Sequence, residues 1–417
     1  MHLALNFQRV DPSRGGAETY VADLCRSLIE GGHRVDLYAE SWADDCLPRE
    51  VHVVPVASTG RTRWERIGSF GERSEEALRH GAHECSVGFI NTWAHDVIIP
   101  QGGVHPGSVR ANAQRYATGL VRGGYYLTKL AHPKYRLYRA IEQRQYDPQR
   151  RARVVAVSKM VQRDLEEFRG VARERISVVP NAIDPGRLDV PQPGALRCAF
   201  RNRLGLEPTD LVGFFVGHNF ALKGLDPLLH GLAARWWTDR TRRPIHLLVC
   251  GNGDADRYRR LARRLGLRDM VHFLGFYPDI REGYWSSDFF VQPTYYDPCS
   301  LVVLEALACG LPVITTAQNG AAELMSPGRQ GYVLSAPGAQ SELIAALDQM
   351  AHDPTRLAMS DQARRLGRRW TFDAHVARLL EIFQEVAAAK RQPRTSAHKR
   401  GAKVPGPHRD QAKRSRR

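Results

Sequence analysis

The chain has 417 residues, 43% of them hydrophobic, and a net charge of +16; it is long for one core and suits two domains. No run reaches the roughly 18 to 20 uninterrupted apolar residues of a membrane span, and residues 1–12 lack the basic and then apolar pattern of a secretory signal, so neither is expected. Seven scattered cysteines without a CxxC pair fit a reducing cytoplasm better than a disulfide framework.

The opening "MHLALNF" reads as a strand, "RVDPSRGGAET" as a glycine-containing loop, and "YVADLCRSLIEGG" as a helix, its apolar positions recurring at helical spacing. "HRVDLYAE" is the next strand, which makes a βαβ unit and starts a doubly wound sheet. Further strands are expected at "CSVGFIN", "DVIIPQ", "RVVAVS" and "ISVVP". Residues 101–153 interrupt the alternation with eleven Lys/Arg, two acids and six tyrosines. The proline-rich "VVPNAIDPGRLDVPQPG" reads as a linker, after which "LVGFFVG", "HLLVCG", "VHFLG", "DFFVQP" and "PVITT" alternate with helical segments. The expected architecture is α/β, with Rossmann-like domains at 1–182 and 183–370. A C-terminal helix over 371–389 should pack back on the first domain. Residues 390–417, with eleven Lys/Arg against one acid, read as a disordered basic tail.

The stretch "DPCSLVVLEALACGLPVITT" poses a local question. Asp297-Pro298 is a turn, Ser300 a good N-cap, and Leu301 to Cys309 an apolar run stopped by Gly310 and Pro312. Glu305 is therefore a carboxylate inside a greasy helix, one turn beyond Leu301, and needs a partner. Its placement points to a ligand at the helix's N-terminal end.

"RGGAE", "VVPNAID", "VGHNFALKG", "GNGD" and "DPCSLVVLEALACGLPVI", taken together and in this order, resemble the retaining glycosyltransferases of family 4. The likeness runs from the first strand to about residue 389. It is strongest to the lipopolysaccharide core glucosyltransferases, which also carry a basic, tyrosine-rich insertion. The resemblance implies the GT-B fold, two Rossmann-like domains facing across a cleft, and a metal-independent hexosyltransferase without a cofactor. Asp297, where the family usually has Glu, would touch the donor sugar, and Glu305 would hold the ribose hydroxyls. The amides of Ser300, Leu301 and Val302 would face the diphosphate, favoured by the helix dipole. Gly15 and Gly16 allow close approach of backbone to a phosphate or sugar. Lys223 would carry positive charge to the leaving diphosphate. The family often adds an Arg beside this Lys; here His218 and Asn219 stand early in the loop, and His218, a backbone amide or an Arg from elsewhere could replace it. Gln101 and His105, after the "DVIIP" strand, are candidates for contact with the donor sugar or the acceptor. Phe276, or its neighbour Tyr277, is available to cover the base. Asp254 and Asp256 open a helix, where Asp is expected as a cap, so no metal site is assigned to them.

The reaction implied is transfer of a hexose from a nucleotide diphosphate sugar, UDP-linked, to a hydroxyl of a cell-envelope glycan or a lipid-linked acceptor such as lipopolysaccharide core. The basic segment suits an anionic membrane surface, which would make the enzyme cytoplasmic and peripheral on the inner face of the cell membrane. Basic residues interleaved with tyrosines also fit a nucleic-acid-binding protein, and a nucleotide-sugar epimerase or phosphorylase could share the fold. The enzyme reading alone accounts for the tandem domains, the paired acids and the glycine loops, so no nucleic-acid partner is expected.

Overall fold

The first strand, His2–Asn6, is buried from Leu3 onward, as a strand covered on both faces of a parallel sheet must be. The computed structural model describes residues 1–391 except Ala94, Ala117 and Pro278. A parallel seven-stranded sheet runs in the order His52–Pro55, Arg34–Ala39, His2–Asn6, Cys85–Gly88, Val97–Ile98, Arg153–Ala156, Ile176–Val178. A parallel six-stranded sheet runs Val271–Gly275, Ile245–Cys250, Leu211–Val216, Phe289–Gln292, Val313–Thr316, Gly331–Leu334. Each order reverses direction once, beside His2–Asn6 in one sheet and beside Leu211–Val216 in the other. Loops leaving the strand ends diverge at such a point and open a crevice.

Helix Gly16–Glu30 buries Tyr20, Val21, Leu24, Cys25 and Leu28 along one stripe. The C-terminal helix, Phe372–Arg391, crosses back to it and buries Val376, Leu379, Ile382 and Phe383. His375 joins the two: its Nδ1 lies 2.8 Å from the Pro180 carbonyl and its Nε2 2.8 Å from the Tyr20 hydroxyl. A carbonyl can only accept, so Nδ1 carries the proton and Nε2 accepts from Tyr20. Burial pushes His375 down to about 4, which keeps this neutral tautomer at physiological pH. The basic tail expected from residue 390 begins inside this helix, where Lys390 pairs with Asp96 and Arg391 with Glu84; residues 392–417 lie outside the described residues.

Further polar contacts tie the domains across the cleft. Gln101 and Asn181 exchange amide hydrogen bonds of 3.0 Å, and Asn181 also donates to the Cys299 carbonyl. Tyr296 accepts from the Val104 amide and donates to Asp164. Glu323 accepts 2.7 Å bonds from the Lys159 and Met160 amides, an acid at the N-terminus of helix Lys159–Arg169. The basic segment forms three helices, His105–Ala113, Gly119–Ala131 and Pro133–Gln145, the break falling at Pro133. Gly119–Ala131 buries none of its side chains.

Candidate active site

The two crevices face each other, and the cavity between them is about 580 Å³. On the second domain its floor is a pair of loops stitched together. Gly224 has φ +84°, and a Cβ there would stand 1.9 Å from the Pro293 carbonyl oxygen, so only glycine lets the 217–224 turn lie against the 293–300 loop. The Leu222 carbonyl accepts from the Tyr295 amide at 2.8 Å and from the Thr294 hydroxyl at 3.1 Å. These bonds bring Lys223 to Asp297, and the ammonium donates to the carboxylate. Asp297 is itself pinned, its amide on the Gln318 carbonyl and its carbonyl accepting from Gly320.

Helix Leu301–Ala308 starts at the end of this loop. Ser300 is its N-cap residue, but its hydroxyl reaches Gln292 instead of capping, and its amide donates to Asn319 at 3.3 Å. The Leu301 and Val302 amides, in the first turn, have no acceptor within the helix. One turn on, Glu305 accepts a 2.6 Å bond from the Tyr284 hydroxyl. Burial raises the Glu305 carboxyl above its ordinary range, only partly offset by that hydroxyl. The first domain contributes the turn through Gly15 and Gly16. A Cβ on Gly16 would stand 3.3 Å from Leu301 Cδ1, so this turn packs against the helix start.

Gly15, Gly16, Gln101, His218, Lys223, Phe276, Asp297, Ser300, Leu301, Val302 and Glu305 all line the cleft, with Tyr277 beside Phe276. Phe276 is half exposed. Asn219 does not line it; its side-chain amide oxygen accepts from the Leu222 amide and holds the turn. His105 is also outside. It lies in a separate cavity, stacked on Tyr135 with centroids 4.7 Å apart, its amide on Glu142. Burial and the nearby Lys134 push it down to about 4, so it is neutral there. His218 is lowered by burial and by the charge on Lys223, which favours its neutral form. Among the described residues Lys223 is the one Lys or Arg of the lining. Asp254 caps helix Ala255–Arg264 and accepts from the Arg257 amide at 3.1 Å, and Asp256 pairs with Arg259. No group of three metal-ligating side chains occurs among the described residues.

Sequence reading missed Tyr284, Gln292, Asn319 and Asn181, which hold Glu305, Ser300 and Gln101. A second cavity of about 500 Å³, beside Asp23, Arg26 and Arg187, has neither glycine turns nor a helix start.

Residues 14–187 match the model of Glycosyltransferase Family 4 and residues 197–367 that of Glycosyl transferases group 1. The chain belongs to the GT-B glycosyltransferases. It is 26% identical to lipopolysaccharide glucosyltransferase WaaG of Escherichia coli (strain K12), over 84% of this chain and 90% of that protein. It is 27% identical to D-inositol 3-phosphate glycosyltransferase 2 of Catenulispora acidiphila, over 81% and 83%. The crystal structure of WaaG superposes with a TM-score of 0.77 at 24% identity, covering 91% of this chain and 99% of that one. Anabaena HepE in complex with UDP and glucose superposes at 0.67 and 17% identity, covering 92% and 100%. The group 1 match contains Lys223, Asp297 and Glu305, the residues around the start of helix Leu301–Ala308.

The raised carboxyl of Glu305 has a consequence for this glycosyltransferase's stability. A carboxyl whose native pKa exceeds its unfolded value of 4.5 favours the fold below that value and loses the contribution as pH rises through the native one. Glu305→Gln removes the loss and can keep the Tyr284 hydrogen bond. Its melting temperature relative to wild type should therefore be higher at pH 7.5 than at pH 4.5. An equal difference at both pH values would show that Glu305 ionises without penalty.

Proposed function

We propose that the protein transfers a hexose from a UDP-sugar to a hydroxyl of a cell-envelope glycan or lipid-linked acceptor, with retention at the anomeric carbon and without a divalent metal. The observation that carries this reading is the conjunction, in one cleft, of Lys223, Asp297, Glu305 and the open first turn of helix Leu301–Ala308. Glu305 would take the ribose hydroxyls in place of the Tyr284 hydroxyl. The Leu301 and Val302 amides and Lys223 would take the diphosphate, whose charge grows as the bond to the sugar breaks. Asp297, which holds the Lys223 ammonium, would meet the sugar hydroxyls from the same oxygens. In the front-face route the acceptor oxygen bonds the anomeric carbon as the phosphate oxygen leaves and takes the acceptor's proton. No protein nucleophile is needed. The likeness to a lipopolysaccharide glucosyltransferase and to a fold neighbour holding UDP and glucose supports the substrate class.

Glu305→Ala should raise the Kd for UDP by roughly tenfold to a hundredfold, since a hydrogen bond to a charged group is worth about 1.5 to 3 kcal/mol. Lys223→Ala should instead lower turnover on the order of a hundredfold, and wild-type turnover should persist in a chelator. Isothermal titration and a radiolabelled-donor assay read these values. Unchanged UDP affinity in Glu305→Ala, or turnover abolished by the chelator and restored by magnesium or manganese, would contradict the reading.

The acceptor is proposed to wait at an anionic membrane face. Helix Gly119–Ala131 supports this: Leu120, Leu127 and Leu130 are 90%, 68% and 65% exposed, with Arg122 and Lys129 beside them. An apolar stripe edged with cations is the pattern of a helix lying in a bilayer interface. No helix among the described residues is long and apolar enough to cross a membrane. With residues 392–417 removed, sedimentation with vesicles of 30% phosphatidylglycerol should fall several-fold on Leu127→Ser with Leu130→Ser, and again on changing Lys129, Lys134, Arg136 and Arg139 to Gln. Binding indifferent to both sets would refute this role.

A further inference from the structure

A smaller cavity of about 240 Å³ opens on the first domain, walled by Arg9, Arg14, Glu18, Arg63, Arg66 and Tyr138. It shares a partition with the donor cleft. Ser13 and Gly15 line the cleft while Arg14, between them, lines this cavity, so a single turn separates the two. On its far side Ile90, Asn91 and Tyr138 are common to it and to the cavity beneath His105. Asn91 has φ +63°, the one non-glycine residue with positive φ among the described residues, a conformation found more often at binding sites than elsewhere.

The charge on this wall is unbalanced. Arg9 is paired with Glu40 at 3.3 Å, but among the described residues no carboxylate lies within 4.0 Å of the Arg14, Arg63 or Arg66 guanidinium. Glu65, on the same helix, is occupied elsewhere. Its carboxylate accepts from the Arg61 and Thr62 amides as half of a capping box. Glu18 is the one acid of the wall; burial raises its pKa, with the Arg14 charge acting the other way. Arg63 and Arg66, three residues apart, share one face of helix Arg63–Arg79. Arg14 faces them from the turn. Three guanidinium groups around a small open cavity suit a planar or tetrahedral oxyanion, which each can bind through two parallel hydrogen bonds.

We propose that this cavity is an anion subsite of the acceptor: it binds a phosphate or carboxylate that the acceptor carries, and so presents the attacking hydroxyl across the 12–16 turn to the donor cleft. The inference rests on the transferase reading above and narrows the acceptor to an anionic saccharide. A neutral glycan would leave the three arginines unpaired against the bound substrate. Arg63 and Arg66, on their own helix, are not among the residues that line the donor cleft.

The test uses the full chain with saturating UDP in the donor cleft, and titrates inorganic phosphate, mannose 6-phosphate and mannose. Arg63→Gln with Arg66→Gln should weaken binding of both phosphates at least tenfold and leave the UDP affinity unchanged, which also certifies the fold. Lys at both positions should restore much of the loss, and mannose should bind weakly and equally to all forms. Phosphate binding that is absent from wild type, or equal in wild type and the Gln variant, overturns the proposal. Loss of sedimentation with 30% phosphatidylglycerol vesicles without loss of mannose 6-phosphate binding would overturn it too, since the arginines would then face lipid headgroups. Should UDP fail to bind wild type at all, the transferase reading falls, while the arginine dependence of phosphate binding still decides whether the cavity is an anion site.

Discussion

Lys223 and Asp297 sit on loops that leave neighbouring strands of the second sheet, and their contact depends on how closely those loops approach. Gly224 sets that distance, because any side chain at its position would collide with the Pro293 carbonyl. The Leu222 carbonyl, shared by Tyr295 and Thr294, then locks it. Once the loops are joined, Asn319 and Gln292 hold Ser300 at the start of helix Leu301–Ala308, whose first-turn amides open on the cleft. The second-domain face of the cleft is thus one consequence of a switch in strand order, closed by hydrogen bonds between the two loops.

Electrostatics in this cleft are sparse. Lys223 is the one Lys or Arg of its lining among the described residues and is already partnered by Asp297, while burial and that ammonium favour the neutral form of His218. Any positive potential a diphosphate meets therefore comes from one ammonium and from unpaired amides at a helix terminus. The arginines of the first domain lie beyond the 12–16 turn, so under the proposed reading donor and acceptor charges would be met by separate groups. Cross-domain contacts from Asn181 to the Cys299 carbonyl, between Tyr296 and Asp164, and between Glu323 and the Lys159 helix hold the faces together.

Much of this was legible in the sequence because it is local. The apolar runs named the strands, "RGGAE" and "LKG" named the turns, and Ser300 followed by an apolar stretch named the helix that carries Glu305. Pro133 begins the last helix of the basic segment, as a residue suited to a first turn and not to a helix interior does. What escaped was long-range. Nothing in the sequence links Tyr284 to Glu305, or Asn319 to the Ser300 amide, since those partners meet only when the sheet is assembled. His105 shows the same limit from the other side. Its spacing after "DVIIP" suggests a place in the cleft, but the chain turns at Gly103, φ +72°, and His105 instead begins a helix under Tyr135. The unpaired arginines were likewise invisible, because Arg14 and Arg63 come together only through tertiary structure.

The account stands or falls on where a nucleoside diphosphate binds. The most direct measurement is a crystal structure of the protein with UDP. The ribose hydroxyls are expected within hydrogen-bond distance of Glu305, and the β-phosphate against the Leu301 and Val302 amides and the Lys223 ammonium. UDP seated in another cavity, with Glu305 still bonded to Tyr284 alone, would contradict it.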